Sequence, residues 1–324
     1  MSLLDSLFQS LLSPMVLAFL LGIIATLIKS DLKFPPELYS ALTIYLLFAI
    51  GLKGGAKLVG LSFSDIWLPM TVAILISLAI PLWCFAILKK WGKFDGVNSA
   101  ALAAHYGSVS AVTFAEAVAF LDLMKITSEP FMPAMLTVME VPAILVAILL
   151  VGRSAVVSGG GSWGKVLHEL ISGKGVVLLL GGMAIGLLSG TKGYTQVAPL
   201  FDTPFRGVLT LFLLEIGLIT GRTLSDVGKA GKFLVGFALI MPLLHGIMGA
   251  FLGHAIGLSI GGTTLLATLT ASASYIAAPA AVRVALPQAS PALYFTASLA
   301  LTFPFNVVIG IPTYYALATW LHAG

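Results

Sequence analysis

The sequence predicts an all-α integral membrane protein of about ten transmembrane helices, arranged as two five-helix inverted repeats. Three observations carry this expectation. The first is composition: 59% of the 324 residues are apolar and 9% are charged, against roughly a quarter charged in a soluble domain, and mean hydropathy is +1.06. The second is that apolar runs of about twenty residues, the length a helix needs to cross the hydrocarbon core, recur from end to end. The third is a set of short motifs that recur in order at a near-constant offset.

The apolar windows fall near 13–28, 34–52, 66–88, 97–121, 131–151, 175–190, 204–221, 233–258, 262–286 and 292–321. The first has no basic leader and no clear small-residue cleavage site, so it is expected to stay as a span and not to be removed as a signal peptide. With the N-terminus outside, eleven Lys and Arg fall in inner connections (Lys29, Lys33, Lys89, Lys90, Lys93, Arg153, Lys165, Lys174, Arg222, Lys229, Lys232). Five fall outside: Lys53, Lys57, Lys125, Lys192 and Arg206. That asymmetry predicts both termini on the outer side.

The second window ends in Ala49-Ile-Gly-Leu-Lys-Gly-Gly55, which resembles Glu215-Ile-Gly-Leu-Ile-Thr-Gly221 in the seventh, 166 residues on. In the fourth window Gly107-Ser-Val-Ser110 interrupts a helix, and Ala271-Ser-Ala-Ser274 interrupts the ninth at an offset of 164 residues. The fifth carries Leu136-Thr-Val-Met-Glu-Val141, matched in the tenth by Leu301-Thr-Phe-Pro-Phe-Asn-Val307 with one residue inserted. Between the fifth and sixth lies the longest connection, 153–174, containing Ser158-Gly-Gly-Gly-Ser162. It divides the chain into a first repeat, 1–152, a cytoplasmic linker and a second repeat, 175–324. An odd number of spans per repeat makes the second copy enter from the opposite side, the build of many secondary transporters.

On a continuous helix Ser272 and Ser274 would point about 200° apart and could not serve one site. If the chain unwinds there and a new half-helix starts between Ser274 and Ala278, Pro279 falls in or near its first turn, where its missing N–H costs least. Hydroxyls and free N–H groups then converge, as they do at Gly107, Ser108 and Ser110. Facing half-helix N-termini make a site for a small anion at the repeat interface. The other reading is serines bonded back to their own helix and small residues at a tight helix contact.

Glu140 lies mid-span, with Asn306 at the equivalent place and Thr137 and Thr302 a few residues before them. Carboxylate, amide and hydroxyl oxygens suit a hard cation, and an intramembrane carboxylate is a functional candidate. Sodium coordination and proton carriage both fit. Glu116 and Glu215, nearer helix quarter-points, could pair or snorkel, and a functional role fits them as well as a structural one. His105, His245 and His254 show no ligand spacing, Tyr106 has no specific signature, and the single Cys84 offers no disulfide. The sequence lacks P-loop and H-E-x-x-H motifs, which points away from an enzyme and toward gradient-driven transport.

The stretch Ala271-Ser-Ala-Ser-Tyr-Ile-Ala-Ala-Pro-Ala-Ala-Val-Arg283, with Leu286-Pro287, Tyr294-Phe-Thr-Ala-Ser-Leu299 and Leu301-Thr-Phe-Pro-Phe-Asn306, resembles the sodium-dependent bicarbonate transporters first known from cyanobacteria. Weaker similarity runs through Gly51-Leu-Lys-Gly-Gly55 and the Gly107 region. The resemblance implies sodium-coupled bicarbonate uptake across a bacterial inner membrane by a homotrimer in which a core bundle moves, elevator-fashion, against a fixed scaffold or gate bundle. It implies that Gly107, Ser108, Ser110, Ser272, Ala273 and Ser274 hold bicarbonate, and that Glu140, Asn306, Thr302 and Thr137 hold sodium. Glu140 stands where an aspartate is expected, one methylene longer. Cyanobacterial members are regulated by a small trimeric PII-like protein, often with a longer central segment than this one. The competing expectations are a carrier of another small anion or carboxylate, and an anion channel or non-transporting sensor on the same fold. Arg283, near the inner end of the ninth span, is expected to snorkel or to pair within the core.

Overall fold

The computed structural model describes residues 11–152, 163–228 and 231–323, all helical or connecting. The Ser-Gly-rich stretch of the linker, Arg153 and Lys229 lie outside the described residues. Among the described residues eight helices are long and apolar enough to cross a membrane, and two shorter apolar helices accompany them, Pro14–Leu27 and Ile260–Ala271.

Helix α1 is Pro14–Leu27, with Pro14 at its first position and the Ser13 hydroxyl accepting the Val16 N–H. Helix α2 is Pro36–Lys57, so Lys53 and Lys57 lie in helix and not in the connection the hydropathy windows gave them. Helix α3, Phe63–Lys90, starts with Asp65 accepting the Ser62 N–H and ends on Lys89 and Lys90, a charge order that complements the helix dipole. Helix α4, Gly96–Gly107, is capped by Asp95, and α5, Ala111–Leu123, by Ser110. Helices α6, Met132–Glu140, and α7, Pro142–Val151, are separated by a step at Val141, because Pro142 has no N–H to continue the ladder.

Part of the predicted linker is ordered as α8, Trp163–Ser172. Helix α9 is Lys174–Phe201, turned at Gly190, whose φ of 64° and ψ of −173° interrupt the helical path; the sixth window ends at that residue. Helices α10, Phe205–Val227, and α11, Gly231–Ala255, follow. Helix α12, Ile260–Ala271, is capped by Ser259, and α13 is Ala277–Ala285, with Pro279 in its first turn. The last crossing runs through α14, Pro291–Phe295, a π-helical turn, Thr296–Thr302, α15, Phe303–Phe305, a second π-helical turn, Asn306–Gly310, and α16, Ile311–Ala323.

Two groups of helices result. Helices α1, α2, α9 and α10 pack with α1 on α10 and α2 on α9. In the remainder, α3, α4 and α7 pack mutually, and α11, α12 and α16 repeat that arrangement. The repeated glycine motif explains the first group: a methyl group at Gly51 or Gly55 would collide with the Leu179 or Met183 carbonyl of α9, and one at Gly217 or Gly221 with Phe19 or Thr26 of α1. Close backbone approach at small-xxx-small positions is the means by which helices associate where no hydrophobic force separates protein from lipid. The order of these contacts shows both pairs to be parallel, as alternating crossings require of the first and seventh and of the second and sixth.

Of pairing and snorkelling, burial leaves only the first for Glu116 and Glu215, at 3% and 5% exposure. Arg283 is exposed and stacks over Phe295, 6.0 Å from its ring centre.

Candidate functional site

The site begins with two helices that stop after twelve residues each. Ser108 and Ser272 end α4 and α12 in the same extended conformation, with φ −86° and ψ 161° at one and φ −78° and ψ 161° at the other. The chain then restarts as a half-helix. Ser110, the N-cap of α5, accepts the Thr113 N–H at 3.2 Å, and Ser274, two residues before the N-cap Ile276 of α13, accepts the Ala278 N–H at 3.1 Å, so each second serine takes up a free N–H of the helix after its break.

The breaks cross and are bonded to each other. The Ser110 N–H donates to Ser272 Oγ at 2.9 Å, and the Ser274 N–H donates to the His105 carbonyl at 2.8 Å. Ser272 Oγ in turn donates a hydrogen bond to the Leu269 carbonyl at 2.8 Å. Ser108 Oγ donates to the Glu140 carbonyl at 2.8 Å. That carbonyl is available because, at the α6–α7 step, the Ile144 N–H bonds Val141 instead. All four serines are buried, and the starts of α5 and α13 are the anion-favouring ends of their helices.

Ser110, Ser274 and Glu140 line one cavity with Val109, Tyr275 and Ile276. Its volume is about 10 Å³, room for about one water, and Leu47 of α2 forms part of its wall. Gly107 lies beneath the first break, packed on Pro81 and Ala143, and Ala273 is buried within the second. Tyr275 is the addition that sequence reading passed over. Its buried hydroxyl has no hydrogen-bond partner among the described residues, and its position next to the serines was the available signal.

Glu140 is 5% exposed. Its Oε1 lies against Gly175 of α9, where a Cβ would stand 2.7 Å away, and its Oε2 has no hydrogen-bond partner among the described residues. It also lines a second cavity of about 230 Å³ reaching past Gly175, Ile276 and Ala280 to Glu169 and Lys174, on the side where α8 lies. Lys174 is turned to the Ser40 hydroxyl, 3.1 Å away. From the opposite end of α2 a larger cavity of about 570 Å³ reaches inward to Ile50 and Ala115. At its rim Lys53 pairs with Asp202, and Arg206 of α10 with Asp122 of α5 at 3.3 Å.

The other expected cation ligands are bonded elsewhere. Asn306 donates from Nδ2 to the Ala271 carbonyl at 2.9 Å and accepts the Tyr314 hydroxyl at 3.0 Å. Thr302 donates to the Ala238 carbonyl and accepts the Tyr106 hydroxyl, both at 2.7 Å. Thr137 bonds back to Pro133. Among the described residues no hydrogen bond joins Glu140 to any of them. His105 bonds Ala101 and stacks on Tyr294, His245 accepts the Trp83 N–H, and His254 packs on His322.

A family model described as the Na+-dependent bicarbonate transporter superfamily matches residues 14–319. No curated protein matches the chain.

Proposed function

The chain belongs to the Na+-dependent bicarbonate transporter superfamily, and from that premise we propose that it is a secondary symporter that carries bicarbonate inward with sodium. The observation that supports this reading most is the pair of mutually bonded breaks, 108–110 and 272–276, sharing a cavity with the buried carboxylate of Glu140. Bicarbonate is held by the backbone N–H groups and hydroxyls at Gly107, Ser108, Ser110, Ser272, Ala273 and Ser274. Sodium binds at Glu140, and Asn306, Thr302 and Thr137 join it once their present bonds are exchanged. A cation at Glu140 offsets the charge of the anion beside it, and that attraction in a low-dielectric site is what couples the two.

The 10 Å³ cavity is too small for bicarbonate, so binding goes with separation of the breaks from Leu47 of α2. This suits movement of a core, α3–α7 and α11–α16, against a scaffold, α1, α2, α9 and α10. The similar packing of the two halves supports ten crossings in inverted repeats, 1–152 and 175–324 about a cytoplasmic linker, with both termini outside a bacterial inner membrane. A homotrimer, and regulation by a PII-like protein at the linker side, complete the proposal.

Proton coupling through Glu140 is the second reading, favoured by the commitment of Asn306 and Thr302 to protein acceptors. Uptake of labelled bicarbonate into proteoliposomes separates the readings. An inward sodium gradient drives uptake by the wild type. Ser110→Ala, Ser274→Ala and Glu140→Gln reduce it by about tenfold or more at equal protein, each removing about 1.4 kcal/mol or more of binding. Uptake driven by a proton gradient without sodium selects the second reading, and normal uptake by all three variants contradicts the site.

A further inference from the structure

We propose that the cavity between the end of α1, the segment leading into α2, and α10 is a binding site for the phosphate group of an anionic glycerophospholipid. The cavity has a volume of about 230 Å³, and its polar wall is made by Ser30, Lys33 and Arg222. Leu32 and Phe34 complete it on the apolar side. Local sequence builds this wall. Lys29 takes a positive φ of 58°, the Lys29 N–H bonds the Thr26 carbonyl at 3.0 Å and the Ser30 N–H the Ala25 carbonyl at 2.8 Å, so α1 closes and the chain turns across its own end. Thr26 donates to the Leu218 carbonyl at 3.1 Å, which ties α1 to α10 behind the cavity.

The groups present suit a phosphodiester. A guanidinium and an ammonium hold the charge, the former with its fork of donors. Ser30 Oγ accepts the Leu32 N–H at 3.2 Å, which leaves the hydroxyl proton to donate. Glu215 lies within electrostatic reach of Arg222 and balances part of its charge; Asp31, in the same turn as Ser30, does not line the cavity. Lys33 and Arg222 are both exposed.

The position selects a lipid over a soluble phosphate. Ser30 to Phe34 falls between the end of one span at Leu27 and the start of the next at Pro36, the level at which headgroups lie. Next to it in the chain, Ile24, Leu27 and Ile28 at the end of α1 are exposed by 52%, 63% and 71% and offer acyl chains an apolar surface. Basic pockets between helices at the membrane surface are a recurrent means of holding anionic lipid. The bound lipid bridges the α1–α2 connection to α10 and stiffens the helix pair joined through Gly22 and Gly217.

Thermal unfolding of the purified full chain in detergent, with dioleoylphosphatidylglycerol, dioleoylphosphatidylcholine or inorganic phosphate added, tests the assignment. Phosphatidylglycerol raises the wild-type Tm by about 3 °C and the other two raise it by less than about 1 °C. Lys33→Gln and Arg222→Gln lose most of that rise, judged against each variant's own Tm without lipid; Lys33→Gln, an exposed change, carries the test if Arg222→Gln folds poorly. An equal rise with inorganic phosphate overturns the lipid assignment. The same rise in wild type and Lys33→Gln, or no rise with phosphatidylglycerol, overturns the site. None of these outcomes depends on what the protein transports.

Discussion

Glu140 is held in place by a contact that leaves its charge unspent. Its carbonyl accepts from Ser108, one carboxylate oxygen fills the space a Cβ on Gly175 would need, and the other has no partner among the described residues. A buried carboxylate left in this way costs several kcal/mol unless a cation or proton accompanies it. Gly175→Ala puts a methyl group 2.7 Å from Oε1 and displaces the carboxylate. We expect sodium dependence of uptake to weaken by about tenfold, a loss of about 1.4 kcal/mol. Gly181→Ala, six residues along the same helix with open space at its Cβ, leaves uptake unchanged. Equal behaviour of the two variants in the same proteoliposome assay argues against the role given to the Gly175 contact.

At the scale of the element, the breaks and the glycine-packed helices are opposites. The breaks were legible because Gly, Ser and Pro in an apolar run each favour leaving a helix, and Pro279 fixed where the next could begin. What sequence did not convey is that Ser110 donates to Ser272 across 162 residues of chain, or that Asn306 and Glu140, which the motif matching pairs, bond different neighbours. Those depend on how the halves fold over each other. The echo at Gly51 and Gly217 was visible, but its meaning, backbone contact with α9 and α1, needed the partners. Helix α8 was missed because Ser-Gly repeats made the whole connection look like a linker. Gly55→Ala, which collides with the Met183 carbonyl, should lower stability by about 1–3 kcal/mol and therefore lower Tm. Gly236→Ala meets nothing within 4 Å and should not lower it.

For the whole molecule the proposal requires one group of helices to move against the other, and the Asp122–Arg206 pair spans that boundary at the rim of the larger cavity. Joining the two positions as Asp122→Cys/Arg206→Cys with a bifunctional thiol reagent should stop transport and leave bicarbonate binding intact. The single native cysteine, Cys84, is buried, so the background reaction is small; full transport after cross-linking would rule out motion across this boundary. In the proposed mechanism anion and cation share the site formed by the serine breaks and Glu140. Binding free energies are reciprocal, so the most direct measurement is the bicarbonate Kd of purified protein with and without sodium. Sodium should tighten binding by about fivefold or more, and Glu140→Gln should abolish the difference. The same Kd with and without sodium, or a sodium effect that persists in Glu140→Gln, would contradict this mechanism.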